Sequence, residues 1–391
     1  MEKTKVLFVY NNFGIGGIAK ALTDVLRLLD YSRYDVTLYI RRDDVLDLID
    51  KVPPQVKTVI IKNEVKSVVF ENNISGKIVK LLYNLLKKGH KHLAKQLFLL
   101  YKYPIQRKKE KKKLKDNVWD IAISYSTDGD DPIFVKECVN ANKKYVFVHQ
   151  STKIAKKNIK AMKKYDGIIT VNPLLVPWVS SFMKSSERVY AIENYVDYEK
   201  IKVLAAQDSP VLCNKTVIAT CGRLCITKGF DYVVNTAKLL SDDNKDFVWY
   251  WIGDGPAKKE MEQRIKELKL EDKIIITGFQ KNPYTYMNAC DIYVQPSRAE
   301  CCCLSIMEAF ILGKPVITTK NASGRYYFEK YGCGILVDES PEEIADEINK
   351  LITSKSNFES EKEKTRKINW EKEKERYSES WSTLLNGTMG R

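Results

Sequence analysis

The sequence predicts an α/β protein built from two doubly wound parallel sheets, and three observations carry that expectation. Short, apolar, β-rich runs alternate with helix-like runs along nearly the whole chain, the pattern of a parallel sheet with helices on both faces. The alternation restarts after a polar, aperiodic stretch at Glu193–Leu212. The length, 391 residues, suits two or three domains at roughly 150 residues each.

In the first half the strand-like runs are Lys5–Tyr10, Asp35–Ile40, Val56–Ile61, Asp120–Tyr125, Lys144–Val148, Gly167–Val171 and Arg188–Ile192. A helix is expected over Ile18–Asp30, because Ala21, Leu22, Val25, Leu28 and Leu29 share one side. In the second half the strands are Thr216–Cys221, Phe247–Ile252, Lys273–Thr277, Asp291–Val294, Pro315–Thr318 and Ile335–Val337. Helical patterns lie near Phe230–Leu240, Ala257–Lys269, Leu304–Leu312 and Pro341–Thr353. We therefore expect domains at 1–195 and 196–369. Residues 370–391 should form a C-terminal helix that packs back across them, with Trp370 and Trp381 as docking groups. Ligands of such sheets sit outside the C-terminal strand ends, so the expected site is a cleft between two facing sheets.

Composition is ordinary for a globular protein, with 44% hydrophobic and 29% charged residues. No run approaches the roughly 18 apolar residues of a membrane span, and the N-terminus lacks a signal-peptide pattern. Nine cysteines, three of them consecutive at Cys301–Cys303, read as reduced thiols in a cytoplasmic protein.

The net charge of +15 is concentrated. Lys77–Lys115 holds 14 basic residues and one acidic residue, Glu110, so 39 residues carry +13 and the remainder only +2. On a helical wheel Lys77, Lys80, Lys87, Lys88, Lys91, Lys95 and Lys102 share one arc, opposite Ile78, Leu82, Leu85, Leu86, Leu93, Leu97 and Leu100. A polybasic run follows, with Lys108, Lys109, Lys111, Lys112 and Lys113. Lys87, Lys88, Lys91 and those five lysines form an expected patch for an anionic membrane surface. The plainer reading is a core-packed helix with a solvated lysine face. Nucleic acid is not an expected partner, since aromatic interleaving and known motifs are absent.

Three loops carry the motifs. Asn11-Asn12-Phe13-Gly14-Ile15-Gly16-Gly17 links the first strand to the first helix, where backbone amides approach an anion; it does not fit G-x-G-x-x-G and is equally consistent with a tight turn. Cys221-Gly222-Arg223-Leu224-Cys225-Ile226-Thr227-Lys228-Gly229 places two cations at a strand end before a helix, which suits a diphosphate or simply a solvated pair. Glu300 and Glu308 stand eight apart, one before and one about a turn inside an apolar helix. Carboxylates there can accept from sugar hydroxyls while the helix N-terminus donates amides; the plainer reading is one buried and one surface glutamate.

Asp128-Gly129-Asp130 has the form of a metal-diphosphate motif but runs into the helix start Asp131-Pro132. Cys221 and Cys225 lack partners for zinc. No metal is expected. Among the three histidines, His149 follows a strand at its C-terminal end, where sites collect.

Taken together the chain resembles the retaining GT-B glycosyltransferases of family 4, the glycosyl transferases group 1. The matching pieces are GIGG, CGRLCITKGF, WIGDGP, TGFQKNPYTYMNACDIYVQPS, SRAECCCLSIMEAFILGKPVI and YGCGILVD. The resemblance implies a GT-B fold of two Rossmann-like domains facing a cleft, with the acceptor on the first and a nucleotide-diphosphate sugar on the second. By motif match Arg223, Lys228, Cys303 and Leu304 hold the donor diphosphate, with Gly16 and Gly17 approaching it. Gly253, Phe279, Asn282, Pro283 and Glu308 contact the nucleoside, Glu300 the donor sugar, and His149 and Glu300 are the catalytic candidates. Where the family commonly has Gly-Phe and a small residue, this chain has Cys301-Cys302-Cys303, and Asn194-Tyr195-Val196-Asp197 replaces the frequent Asn-Gly-Val-Asp.

The expected function is metal-independent, retaining transfer of a sugar, UDP-linked in the favoured case, to a glycan or lipid-linked acceptor. The expected setting is bacterial cell-surface polysaccharide synthesis at the inner face of the cell membrane, with the nucleotide sugar as substrate and no cofactor. The alternative is a non-catalytic sugar-nucleotide-binding or scaffold subunit of a polysaccharide assembly complex, for which the triple cysteine speaks.

Overall fold

The computed structural model describes residues 2–11, 13–61, 74–90, 93, 94, 97, 105, 107–150, 154–183, 187–208 and 214–389. The chain divides into two compact units. The first comprises residues 1–170, 176–192 and 378–391, and the second 171–175 and 193–377.

The first unit contains a seven-stranded sheet in the order β3-β2-β1-β4-β5-β6-β7. Its strands are β1 Thr4–Tyr10, β2 Tyr34–Ile40, β3 Lys57–Ile60, β4 Val118–Ser124, β5 Asn140–Val148, β6 Gly167–Thr170 and β7 Val189–Ala191. Every pairing is parallel, as strands joined by crossover helices must be. The helices are α1 Gly17–Leu28, α2 Ile74–Gly89, α3 Asp131–Cys138, α4 Lys156–Met162 and α5 Val176–Met183. Central β1 is sequestered from solvent on both faces: Val6, Leu7, Phe8 and Val9 are each 0% exposed, which is why VLFV reads as a continuous apolar run rather than an alternating one.

The second unit contains a six-stranded sheet in the order β10-β9-β8-β11-β12-β13, again all parallel. Its strands are β8 Thr216–Cys221, β9 Phe247–Ile252, β10 Ile274–Gly278, β11 Ile292–Gln295, β12 Val316–Thr319 and β13 Ile335–Val337. Its helices are α6 Tyr198–Ala205, α7 Phe230–Asp242, α8 Lys258–Glu267, α9 Tyr284–Ala289, α10 Leu304–Ile311, α11 Ala322–Tyr331, α12 Pro341–Thr353 and α13 Lys355–Arg366. Trp249 and Trp251 of β9 anchor its core with Phe230, Phe247 and Met261. In each sheet the strand order reverses once, at β1/β4 and at β8/β11, and it is there that connections diverge and leave a crevice.

The last helix, α14 Trp370–Leu385, contributes to both units. In the second, Arg376 grips Glu193 at 2.8 and 3.0 Å, and Lys330 bridges Glu193 and Glu373 at 2.7 and 2.6 Å. In the first, Trp381 is 1% exposed and stacks on Phe147 with ring centroids 5.2 Å apart.

One buried ionic cluster ties the basic segment to the first sheet. Arg41, just past β2, donates to Asp130 at 2.7 Å, Asp131 at 2.9 Å and Glu110 at 3.2 Å. Arg107 meets the second oxygen of Asp130 at 3.1 Å. Glu110, the single acid of the +13 segment, is thus its anchor, 2% exposed, while Leu114 beside it joins the core. The same contacts give Asp130 two guanidinium partners at the N-terminus of α3. Burial, with Asp130 close by, raises the Asp131 carboxyl to about 7 against the pull of Arg41. Replacing Arg41 by Met takes the guanidinium from Asp131 and Glu110 and leaves Asp130 with Arg107 alone. Removing one partner of a buried ionic group costs about 3–5 kcal/mol, so the urea midpoint should fall steeply; a midpoint like that of the parent chain would show the cluster contributes nothing to stability.

Candidate functional site

In the second unit the β8 and β11 loops emerge side by side at the switch point, so residues 221–229 and 296–303 lie together. Glycine permits the fit. Gly229 has φ +74°, and a Cβ there would stand 2.0 Å from the Pro296 carbonyl oxygen. Gly253, after β9, has φ +146° and would put a Cβ 2.1 Å from the Gly222 oxygen. Any side chain at either position would force the strand-end loops apart.

Arg298 stitches the two loops. Its guanidinium takes both Asp231 oxygens, at 2.8 and 2.6 Å, donates to the Ile226 carbonyl at 2.6 Å and lies 4.0 Å from the Tyr232 ring centroid. Its backbone amide donates to Thr227 at 2.9 Å. With the loops held this way, Lys228 and Glu300 form an ion pair. Burial works against the Lys228 charge, but the Glu300 carboxylate more than offsets it and raises the lysine pKa.

Behind Glu300 runs a chain of buried polar groups that sequence reasoning missed. Tyr293 Oη donates to Gln295 Oε1 at 2.7 Å, and Ser305 Oγ donates to the same oxygen at 3.0 Å. These donors fix the amide so that Gln295 Nε2 donates to Ser297 Oγ at 2.9 Å. The Ser297 hydroxyl is then left to donate to Glu300 Oε1, 3.2 Å away. Gln295 and Ser297 are 0% exposed, and buried polar groups must be satisfied. A glutamine in the otherwise apolar IYVQ strand was the available signal.

The remaining expected residues divide. Arg223 is exposed, as a cation meant for solvent or a ligand should be, and Phe279 is 51% exposed at the end of β10. Glu308 is buried at 4%, on the fifth residue of α10. The Cys303 amide, expected on a diphosphate, instead donates to Ser323 Oγ at 2.8 Å; Ser323 belongs to α11, whose N-terminus also bonds the Glu300 carbonyl at 3.2 Å. Leu304 opens α10 directly after it. Asn282 is taken up by the scaffold: Nδ2 donates to the Leu204 carbonyl and to Gln207, at 2.8 and 2.9 Å, while Oδ1 accepts from the Tyr284 amide at 3.2 Å. Pro283 is the N-cap of α9. Cys302 and Cys303 have thiols raised by burial, to about 11 and about 12, which keeps them protonated and inert at neutral pH.

Gly16, Gly17 and His149 belong to the first unit. Gly16 caps α1 with extended backbone and open space where a Cβ would stand, and Gly17 begins the helix. His149 follows β5, with its ring 4.9 Å from Tyr125 and 5.9 Å from Phe147. Its Nε2 is screened from solvent and has no hydrogen-bond partner among the described residues. Burial lowers its pKa to about 3 while a backbone hydrogen bond at Tyr125 pulls the other way. The imidazole is therefore neutral at physiological pH.

This shift has a sign that experiment can read. Between about 6.5 and about 3 the unfolded chain binds a proton at His149 that the folded chain refuses, so this group's contribution to stability falls as pH drops through that window. His149→Gln should lose less stability than the parent between pH 7 and pH 5, read as thermal midpoints. Equal losses would remove the assignment.

Residues 206–370 match the family described as glycosyl transferases group 1. The 2-deoxystreptamine N-acetyl-D-glucosaminyltransferase of Niallia circulans is 28% identical over 56% of this chain and 58% of its own length. The N-acetylgalactosamine-N,N'-diacetylbacillosaminyl-diphospho-undecaprenol 4-alpha-N-acetylgalactosaminyltransferase of Campylobacter jejuni is 30% identical over 41% of this chain and 43% of its own. The chain thus spans about half the length of these curated relatives. Among solved structures, Anabaena HepE in complex with UDP superposes with a TM-score of 0.69 at 16% identity, covering 97% of this chain and 100% of that one. S. aureus TarM, solved with UDP, gives 0.72 at 14% identity over 98% and 100%. Two parallel doubly wound sheets, these superpositions and the match across the second unit lead to one assignment: the chain has the GT-B fold, and its residues 206–370 resemble the glycosyl transferases group 1 family.

Proposed function

We propose that this protein transfers a sugar, with retention and without a metal, from a nucleotide-diphosphate sugar to a glycan or lipid-linked acceptor. The observation that carries this is the arrangement at the β8/β11 switch point, where Lys228 and Glu300 are paired beside exposed Arg223 within the family-matched segment. UDP is the favoured nucleotide, because HepE and TarM were solved with it. The relatives' names, a diphospho-undecaprenol transferase among them, support a glycan or lipid-linked acceptor and a role in bacterial cell-surface polysaccharide synthesis. The exposed lysines at 108, 109 and 111–113 support a cytoplasmic enzyme held by charge at the inner face of the membrane.

In this reading the diphosphate takes over the Lys228 charge from Glu300 and adds that of Arg223. Charge growing on the leaving diphosphate is met by these two cations and by the N-terminus of α10. Glu300, released from Lys228 yet still held by Ser297, accepts from the donor sugar's hydroxyls. Glu308 takes the ribose, and Phe279 lies against the base. Neutral His149, at the end of β5, is the catalytic candidate of the first unit. A front-face route, in which the leaving phosphate helps deprotonate the acceptor, retains configuration without a covalent nucleophile on the protein.

Calorimetry with UDP and GDP tests the donor half. Changing both Arg223 and Lys228 to Ala removes two charge-assisted hydrogen bonds of about 1.5–3 kcal/mol each, so affinity should fall roughly a hundredfold or more; unchanged affinity would defeat the assignment. Glu308→Ala should weaken free nucleotide. Glu300→Ala should spare nucleotide affinity and lower turnover in a panel of UDP-, GDP- and dTDP-sugars assayed by nucleotide release, with EDTA making no difference. Nucleotide binding without release from any sugar in the panel would favour the non-catalytic subunit.

A further inference from the structure

Charge does not explain the outer surface of α2. The helix spans Ile74–Gly89. Lys91, Lys95 and Lys102 lie outside the described residues, as does the side chain of Lys88. Within the helix three faces separate. Val79, Tyr83 and Leu86 are half-buried and mark the side turned toward the protein. Lys77, Lys80 and Lys87 are exposed on another side. Between these lie Ile78, Leu81, Leu82 and Leu85, exposed by 52%, 63%, 42% and 65%. At ~100° per residue the four share an arc about 100° wide, bordered on one edge by the lysines. The sequence pattern set the apolar residues of this segment against one side opposite the lysines. In the structure Ile78, Leu82 and Leu85 of that set, with Leu81 beside them, face outward.

Scattered exposed leucines need no explanation, whereas a contiguous stripe of four does. We infer that α2 lies in the plane of an anionic bilayer with Ile78, Leu81, Leu82 and Leu85 inserted at the boundary of headgroups and acyl chains. The lysine edge decides the occupant. Lys77, Lys80 and Lys87 beside the stripe, with exposed Lys108, Lys109, Lys111, Lys112 and Lys113 on the same unit, would repel a second copy of this chain but attract phosphate headgroups. The inference deepens the membrane part of the proposed function and rests on it. It differs in mechanism: attachment by charge is screened away by salt, whereas burial of an apolar stripe is not.

The experiment uses the full chain with vesicles of phosphatidylcholine alone or mixed with phosphatidylglycerol. Wild type should float with the mixed vesicles, and part of that binding should survive high salt. A Leu81→Gln, Leu85→Gln double variant, altered only at exposed positions, should bind about tenfold or more weakly and lose the salt-resistant part. Its UDP affinity and thermal midpoint should stay as in wild type. Leu85→Trp should show a blue-shifted emission on mixed vesicles and quenching by brominated acyl chains. Binding that salt abolishes completely, with the double variant equal to wild type, would overturn insertion yet leave electrostatic attachment standing. No flotation at all would overturn both. A dimer in sedimentation that the double variant abolishes would show that the stripe is covered by a second copy, which also overturns the inference.

Discussion

Arg298 joins two loops that leave different strands of the second sheet, and the candidate site exists because they are joined. Apart from the single 3-10 turn Ile226–Lys228, neither loop has regular structure to hold it over a sheet edge. A guanidinium with five donors in a rigid fork can satisfy a carboxylate, a carbonyl and an aromatic face at once, and Arg298 does so with Asp231, Ile226 and Tyr232. Lys would offer one compact charge and could not span these partners. The consequence is local preorganisation. Lys228 meets Glu300 because the backbones that carry them are fixed, and the Gln295–Ser297 chain sets the direction from which the carboxylate is approached.

Buried charge recurs as a structural device in both units. Arg41 gathers three carboxylates in the first, and Glu193 gathers Lys330 and Arg376 in the second. Such clusters contribute little net stability relative to apolar packing, because the desolvation they cost is large. What they supply is definition. Arg41 gives helical residues 107–113 one register against β2, and Glu193 gives the first half of α14 one register against α11.

Most of the fold was legible because parallel strands buried on both faces must be continuous apolar runs, and crossover helices must separate them. KVLFVY, TVIATC and FVWYWI each show this, and each is a strand. The limits of legibility were equally physical. Arg223, Lys228 and Glu300 could be picked out as chemistry-bearing types at strand ends, yet the sequence has no term for their distances. Asn282 looked like a ligand group, but an amide that can satisfy both a carbonyl and a following amide is drawn into capping. The Cys303 amide was claimed by Ser323, twenty residues on, a partner that only the β11–β12 crossover brings near. Exposure on α2 stayed open between a packed and an outward apolar side because a helical wheel gives directions around an axis and not what stands beside it.

Glu110 sits alone among lysines, and its burial separates two tasks along one short helix. The turn that faces Arg41 holds position, and the turns that face outward hold charge. Selection can therefore add, remove or respace the outward cations without touching the contact that keeps the segment folded. A lineage could retune the number and spacing of positive charges on this surface while the sheet beneath stays as it is. One inward carboxylate makes the rest of the segment free to drift.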